Sequence, residues 1–282
     1  LLAMLSLNAN VIDGTSETGT ITWSLASGSE AFDYLAVGES LVLTYTVQVE
    51  DSQGSTDTQA VVITVTGTND VPVITVEAVD SAGETLSVTG ATLTSGGSLS
   101  VADLDRSDAV TAAITSFSRL GEDTGLTLSN AQLEGLLSLN ANVIDGLNQA
   151  GTINWVFDSA GYAFDYLGSG QSLTLVYTIT VTDSQGATDT QDVTIVINGD
   201  NSAPVISVEP GDSASDTLAE TDTTVATSGT LSVTDINTTD VVNADVTTVI
   251  ASGTTTGLQS NNAALLAMLS LNANVIDGTS ET

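Results

Sequence analysis

The sequence predicts an all-β protein built of tandem Greek-key β-sandwich modules, each with one short inserted helix. Three observations carry that prediction. The chain repeats itself at the spacing of a whole domain. Its apolar residues alternate along runs rich in Val, Ile and Thr, bounded by Asp, Asn, Ser and Gly. Its hydrophobic fraction of 41% is enough to build a core and argues against disorder.

The repeat sets the domain organisation. Leu1–Thr18 recurs unchanged at Leu265–Thr282, an offset of 265 − 1 = 264, and LEGLLSLNANVIDG begins halfway, at Leu133, giving a period of 133 − 1 = 132. The offset holds throughout. Gly19-Thr-Ile-Thr-Trp23 matches Gly151-Thr-Ile-Asn-Trp155, Asp51-Ser-Gln-Gly54 matches Asp183-Ser-Gln-Gly186, and Pro72-Val-Ile74 matches Pro204-Val-Ile206. A solenoid turn needs its neighbour to bury a face and is far shorter than this; the period is that of a domain with its own core. The polar links Gly67-Thr-Asn-Asp70 and Gly199-Asp-Asn-Ser202 are the natural boundaries. One complete unit is therefore expected over 71–202, with 1–70 the back part of a preceding unit and 203–282 the front part of a following one. On this reading the sequence is a stretch of a longer array.

Within the complete unit the elements follow in order. Val71–Val79 reads VPVITVEAV and predicts a first strand with Pro near its start, where a strand tolerates it. Leu99–Val101, Val110–Ile114 and Thr152–Val156 predict short strands. Ser172–Thr182 alternates along its whole length, Asp183–Gly186 is a turn cluster, and Gln191–Asn198 returns as the hairpin partner. Ser129–Leu139 breaks the pattern, with Leu at helical spacing behind a Ser129 cap, and predicts the helix; Asn261–Leu271 is its counterpart. The sum is seven to nine strands per unit.

Composition excludes several functions. The chain has 35 acidic residues against two basic ones, no His and no Cys, for a formal charge of −33. Absent Cys removes disulfides and thiolate chemistry, and absent His removes the commonest general base and transition-metal ligand. Arg106 and Arg119 alone leave no electrostatic footprint for nucleic acid. No apolar run has the length of a membrane span, and no leader-like segment opens the sequence.

The acids are informative by position. Residues 71–202 contain 16 acidic residues and two Arg, hence 2 − 16 = −14 for the unit. Scattered surface acids serving solubility account for many of them, including Glu134, Asp145 and Asp192. Others cluster at turns. In an elongated unit the hairpin turn from Asp183 to Asp189 lies at the N-terminal end, beside the linker, and so does the turn after the second strand. The Ala31-Phe-Asp33-Tyr34 stretch lies at the C-terminal end of the preceding unit. One junction is thus expected to gather Asp33, Asn69, Asp70, Asp103, Asp105, Asp108 and Asp183. The next gathers Asp165, Asp200, Asn201, Asp235, Asn237 and Asp240. So many oxygens need cations, and calcium, which takes six to eight oxygen ligands in irregular geometry, suits them. The loop after Asp103 is not an EF-hand, because Asp108 and Ile114 stand where its Gly and Glu belong.

GTNDVPVI, SLSVADLDRSD with its partner TLSVTDINTTD, AFDYLAVGESLVLTYTVQVEDSQG and VVITVTGTND together resemble the VCBS-type immunoglobulin-like repeats. Those repeats form the extender regions of giant RTX-type bacterial adhesins. The resemblance spans nearly the whole chain. It implies type I secretion to the cell surface, immunoglobulin- or cadherin-like sandwich modules, and calcium at the junctions. The cadherin linker pattern is echoed in part by Asn69-Asp70-Val71-Pro72. The family's early Leu-x-Glu is kept as Leu218-Ala-Glu220, which adds Glu220 to the candidate ligands, whereas Val88 stands in that place in the complete unit. Asn237 replaces Asp105, and Ser202 replaces Asp70, so the two junctions are expected to differ in calcium affinity.

The leading functional expectation is an extracellular structural extender whose modules are rigidified by calcium. Its expected partners are neighbouring repeats of the same chain and, in a filament, other copies; the distal ligand is not encoded here. The alternative is a module that itself binds a glycan or surface ligand. Only 4% of residues are aromatic, and Trp23, Trp155, Phe32, Phe164, Tyr34 and Tyr166 sit at equivalent repeat positions that suit a core better than a sugar site. Catalysis is not expected, because no His or Lys exists to activate the many hydroxyls. Asn237-Thr-Thr239 is a formal glycosylation sequon.

Overall fold

The computed structural model describes residues 1–8, 11–90, 92–237, 239–272 and 274–278. Part of the recurring segment (residues 9, 10, 273 and 279–282) and Thr238 of the sequon lie outside the described residues.

Among the described residues, seventeen strands run in chain order. β1 (Leu5–Leu7), β2 (Trp23–Leu25), β3 (Ser40–Glu50) and β4 (Thr56–Thr66) come first. β5 (Val73–Thr75), β6 (Gly83–Ser87), β7 (Thr94–Ala102) and β8 (Ala109–Gly121) follow, then helix α1 (Asn130–Glu134). β9 (Leu137–Leu139), β10 (Asn142–Asp145), β11 (Ala150–Asp158), β12 (Ser172–Thr182) and β13 (Thr188–Asn198) come next. β14 (Val205–Ser207), β15 (Ser232–Thr234), β16 (Val241–Asn243), helix α2 (Asn262–Leu266) and β17 (Asn274–Asp277) end the series.

β5 to β13 make two sheets, a five-stranded one in the order β10-β8-β12-β13-β6 and a four-stranded one in the order β5-β7-β11-β9. Consecutive strands β7 and β8 lie in different sheets, as do β11 and β12, which is the crossing that defines a Greek-key sandwich. One hydrophobic core lies between them, fed by Leu99 and Val101 of β7, Ile153, Trp155 and Phe157 of β11, and Val193, Ile195 and Ile197 of β13. On β12 the strict alternation of SLTLVYTITVT turns Leu173, Leu175, Tyr177, Ile179 and Val181 inward, and each is 0% exposed. Full burial of such a side chain contributes about 1.5–3 kcal/mol. β12 pairs with β13 over all eleven residues and with β8 on its other side, so it is the centre of the larger sheet.

Three sequence expectations are refined. The first strand does not run through Val79. The chain turns at Glu77–Asp80, where Asp80 Oδ2 accepts the N–H of Glu77 (3.0 Å) and of Ser100 (2.9 Å). It then crosses to the other sheet, where β6 pairs parallel with β13. The expected helix over Ser129–Leu139 is shorter. Ser129 caps it through a reciprocal capping box with Gln132, but Gly135 closes it, and Leu137–Leu139 pairs with β11 instead. Edge pairing that buries Leu137 against the core outweighs the helical spacing of the leucines. Trp155, Phe164 and Tyr166 are core residues, whereas Trp23 is 49% and Tyr34 40% exposed. Trp155 is covered by Gly97 and donates its indole N–H to the Ser81 carbonyl (2.8 Å).

Around the sandwich, β1 pairs with β2, β3 with β4, β14 with β15, and β16 with β17, each as a two-stranded piece. No helix among the described residues is long and apolar enough to cross a membrane.

Candidate metal centre

The loop between β7 and β8 carries the sequence ADLDRSD and folds back on itself through its own carboxylates. Asp103 Oδ1 accepts the Asp105 N–H (3.0 Å), and the Asp105 carbonyl accepts the Asp108 N–H (3.2 Å). Gln149 braces the loop from the start of the next hairpin. Its carbonyl accepts the Asp103 N–H (2.9 Å), and its side-chain amide donates to the Leu104 carbonyl. The β12–β13 turn arrives beside this loop. There Asp183 Oδ1 accepts the N–H of Gln185 (2.9 Å) and Ala187 (2.8 Å), and Gly186 takes the left-handed conformation that closes the turn (φ 90°).

The linker completes the seam. Asn69 Nδ2 donates to Asp183 Oδ2 (2.9 Å), and the Asp70 N–H donates to Asp105 Oδ2 (2.7 Å). From the preceding segment, the Tyr34 carbonyl accepts the Arg106 N–H (3.4 Å). Asp189, on β13, ties the first strand to the same end by accepting the Ile74 N–H (2.8 Å).

What results is a pocket of buried carboxylates. Asp103, Asp105 and Asp108 are 2%, 0% and 3% exposed, and Asp183 is 6% exposed. One oxygen from each of Asp103, Asp108 and Asp183 lies within 4.8 Å of the other two. At an effective dielectric of ~20, two unit charges at that distance repel by about 3.5 kcal/mol. Three buried oxygens here have no hydrogen-bond partner: Asp103 Oδ2, Asp105 Oδ1 and Asp108 Oδ2; Asn69 Oδ1 is a fourth. Buried polar atoms are nearly always paired, so these four oxygens stand out as the ones free to ligate a cation. Among the described residues the ion pair found is Arg119–Asp123, elsewhere on the sandwich. Burial, and then the charges of Asp105, Asp108 and Asp183, push the Asp103 carboxyl up to about 6. Burial, with the charges of Asp70, Asp108 and Asp183, raises that of Asp105 as well. Hard oxygen donors in an irregular cage, deprived of counter-charge, fit Ca²⁺.

The first predicted group is therefore brought together with one exception. Asn69, Asp70, Asp103, Asp105, Asp108 and Asp183 share the seam, but the Asp33 carboxylate is exposed, and its turn reaches the loop through main-chain atoms. The second group has the same backbone skeleton. Asp235 Oδ1 accepts the Asn237 N–H (3.0 Å), Asn237 Oδ1 accepts the Ser202 N–H (2.6 Å), and the Asn237 carbonyl accepts the Asp240 N–H (3.0 Å). Asp235 and Asn237 are buried and Asp240 is half-buried. Asp165 takes part by its carbonyl, which accepts from Asn237 Nδ2 (3.0 Å). Asp200 and Asn201 are exposed and bond within the linker. Glu220 is exposed on an irregular segment, away from any carboxylate cluster found among the described residues. Asn237 is 1% exposed and bonded at both ends of its amide, so the formal sequon is not presented for glycosylation. Sequence reasoning missed Gln149 and the Tyr34 carbonyl, which act through main-chain or neutral amide contacts that composition does not single out.

No protein-family model matches the chain, and no curated protein sequence matches it. Solved structures similar to it include CfaE, the adhesive subunit of the CFA/I fimbria of enterotoxigenic Escherichia coli. That pair has a TM-score of 0.33 and 11% identity, covering 65% of this chain and 64% of CfaE. The CooA pilin subunit of enterotoxigenic Escherichia coli has a TM-score of 0.27 and 10% identity, over 46% of this chain and 97% of the pilin. A PapD-like domain of human CEP192 has a TM-score of 0.30 and 8% identity, over 46% of this chain and 86% of the domain. Likeness this slight adds nothing to what the sheets themselves show.

Proposed function

We propose that this chain is a stretch of an extracellular structural extender, in which calcium at the junctions locks tandem β-sandwich modules into a stiff rod. The resemblance to VCBS-type repeats of RTX adhesins supports the extracellular, cell-surface setting. The observation that carries the reading is the set of unpartnered, buried carboxylate oxygens at the seam between one unit and the next. Asp103, Asp108 and Asp183 would hold one ion; Asn69 and the loop main chain complete the cage. When bound, Ca²⁺ supplies positive charge and six to eight directed oxygen contacts.

The chain's own residues supply the coupling. The β7–β8 loop and the β12–β13 turn belong to one module, while Asn69 and Asp70 belong to the linker that bonds directly to both. Without a counter-ion, the carboxylates push loop, turn and linker apart. With the charge cancelled, the linker is pinned on two sides, and the module cannot swing about it. Extracellular modules bind Ca²⁺ at about 10⁻⁴–10⁻³ M, so export into a calcium-rich medium would switch the array from flexible to rigid.

Spin labels at two exposed sites, one on β4 and one on β11, test this by pulsed dipolar spectroscopy. A distance distribution that narrows in Ca²⁺ and broadens in EDTA is expected. The same width in both would overturn the proposal.

A further inference from the structure

The two junctions are built on one backbone skeleton but differ in what closes it, and that difference assigns an ion to one and not to the other. At the first junction Asp105 uses Oδ2 to accept the linker N–H of Asp70, and its Oδ1 is buried without a partner. At the second junction Asn237 stands in the same place, 237 − 105 = 132 residues on. Its Oδ1 accepts the linker N–H of Ser202, which fixes the orientation of the amide, and its Nδ2 donates to the Asp165 carbonyl. The equivalent carbonyl at the first junction is that of Asp33. An amide hydrogen satisfies that carbonyl directly. Asp105 has no such hydrogen to give, since a carboxylate oxygen and a carbonyl oxygen are both acceptors.

A second substitution moves with the first. Asp70, whose N–H donates to Asp105 Oδ2, is replaced at the second junction by Ser202. Two carboxylates are thus lost together, at adjacent positions joined by a hydrogen bond, and a direct amide–carbonyl bond appears in their stead. Asp105 is outside the trio of Asp103, Asp108 and Asp183 whose oxygens lie within 4.8 Å of one another, and its free oxygen is not needed to complete that trio.

We infer that Asp105 Oδ1, the Asp70 carboxylate and the Asp33 main-chain carbonyl hold a second divalent ion at the first junction, and that the Asn237–Asp165 hydrogen bond replaces that ion at the second. The residue at this repeat position decides whether a junction needs the extra cation. An array carrying both types contains links that stiffen only in calcium and links partly closed without it. The inference rests on the proposed calcium-binding function and adds to it a rule for where the ions go.

The test uses the full 282-residue chain with Ca²⁺ as probe and Mg²⁺ as control, counting bound ions by equilibrium dialysis. Asp105→Asn is expected to lose one bound Ca²⁺, or to weaken it at least tenfold, and to melt higher than the parent in EDTA. It copies the residue of the other junction, so the fold tolerates it. The double variant Asn237→Asp/Ser202→Asp, which restores both carboxylates, is expected to make hydrogen-exchange protection of the residue-202 amide depend on calcium, where the parent's does not. Unchanged ion count and EDTA melting in Asp105→Asn, or calcium-independent protection of the residue-202 amide in the double variant, would overturn the inference while leaving calcium rigidification intact. A parent chain that binds no Ca²⁺ at all would instead sink the proposed function, and the second ion with it.

Discussion

Adding 10 mM Ca²⁺ to chelated protein should raise the melting temperature of the sandwich formed by β5 to β13 by roughly 5–10 °C for each ion bound at the seam. The figure follows from mass action. An ion that binds only the folded state with a Kd of about 10⁻³ to 10⁻⁴ M stabilises it at that concentration by about 1.4 to 2.7 kcal/mol. Unfolding a domain of about 130 residues carries an entropy of about 0.27 kcal/mol/K, which converts those energies to the stated shifts. Two unit charges 4.8 Å apart repel by about 3.5 kcal/mol at an effective dielectric of ~20, so relieving such repulsion in the Asp103, Asp108 and Asp183 trio is on the same scale. Trp155, 1% exposed, reports the transition through its fluorescence. A chain of charge −33 gains from any added salt, so NaCl at equal ionic strength and Mg²⁺ are the controls. Asp108→Asn should remove at least half of the calcium-specific shift. Melting curves in EDTA and Ca²⁺ that coincide within a degree, or an equal shift with Mg²⁺, would refute the reasoning.

Other expectations follow from the same structure. Gly97→Ala would place a Cβ 2.6 Å from the Trp155 ring, and should lower stability by about 1–3 kcal/mol in chemical denaturation, with a shifted Trp emission. Ser159→Ala removes the buried hydroxyl that accepts the Leu93 N–H (2.9 Å), and should cost about 1–3 kcal/mol in the same assay, while Ser159→Thr should cost less. In EDTA, Asp103 makes stability depend on pH. Its folded pKa of about 6 exceeds the ordinary 3.8, so its contribution is fully present below about pH 4 and is lost as pH rises through 6. The urea midpoint of the chelated protein should therefore fall between pH 4 and 7, and Asp103→Asn should flatten that fall.

Much of the architecture was legible because its signals are local. SLTLVYTITVT predicts a strand over Ser172–Thr182, and the strand has those bounds, since strict alternation suits one pairing with a face to bury. Ser129 announces a helix start that the structure keeps, because the capping box it forms with Gln132 needs only its own four residues. The helix end was not legible. Leu136 and Leu137 fit a helix as well as a strand, and only contact with β11 decides between them. The break at Asp80 was hidden for the same reason, as its carboxylate answers to Ser98 and Ser100 on another strand.

By itself the sequence determined the unit of construction, the all-β fold and the gathering of acids at module ends. Those depend on periodicity, alternation and the sign of charge, which are properties of the chain in one dimension. Tertiary structure decided which oxygens are left without partners. Asp103 and Asp183 are 183 − 103 = 80 residues apart, and whether their carboxylates are solvated or face one another in a buried pocket depends on how two sheets bring loop, turn and linker to one end. It also decided that Asp33 takes part by its turn's main chain rather than its side chain, and that Asn237 Nδ2 closes on a carbonyl where Asp105 Oδ1 has no partner. Burial and hydrogen-bond satisfaction are three-dimensional quantities, and they separate an acidic surface from a site.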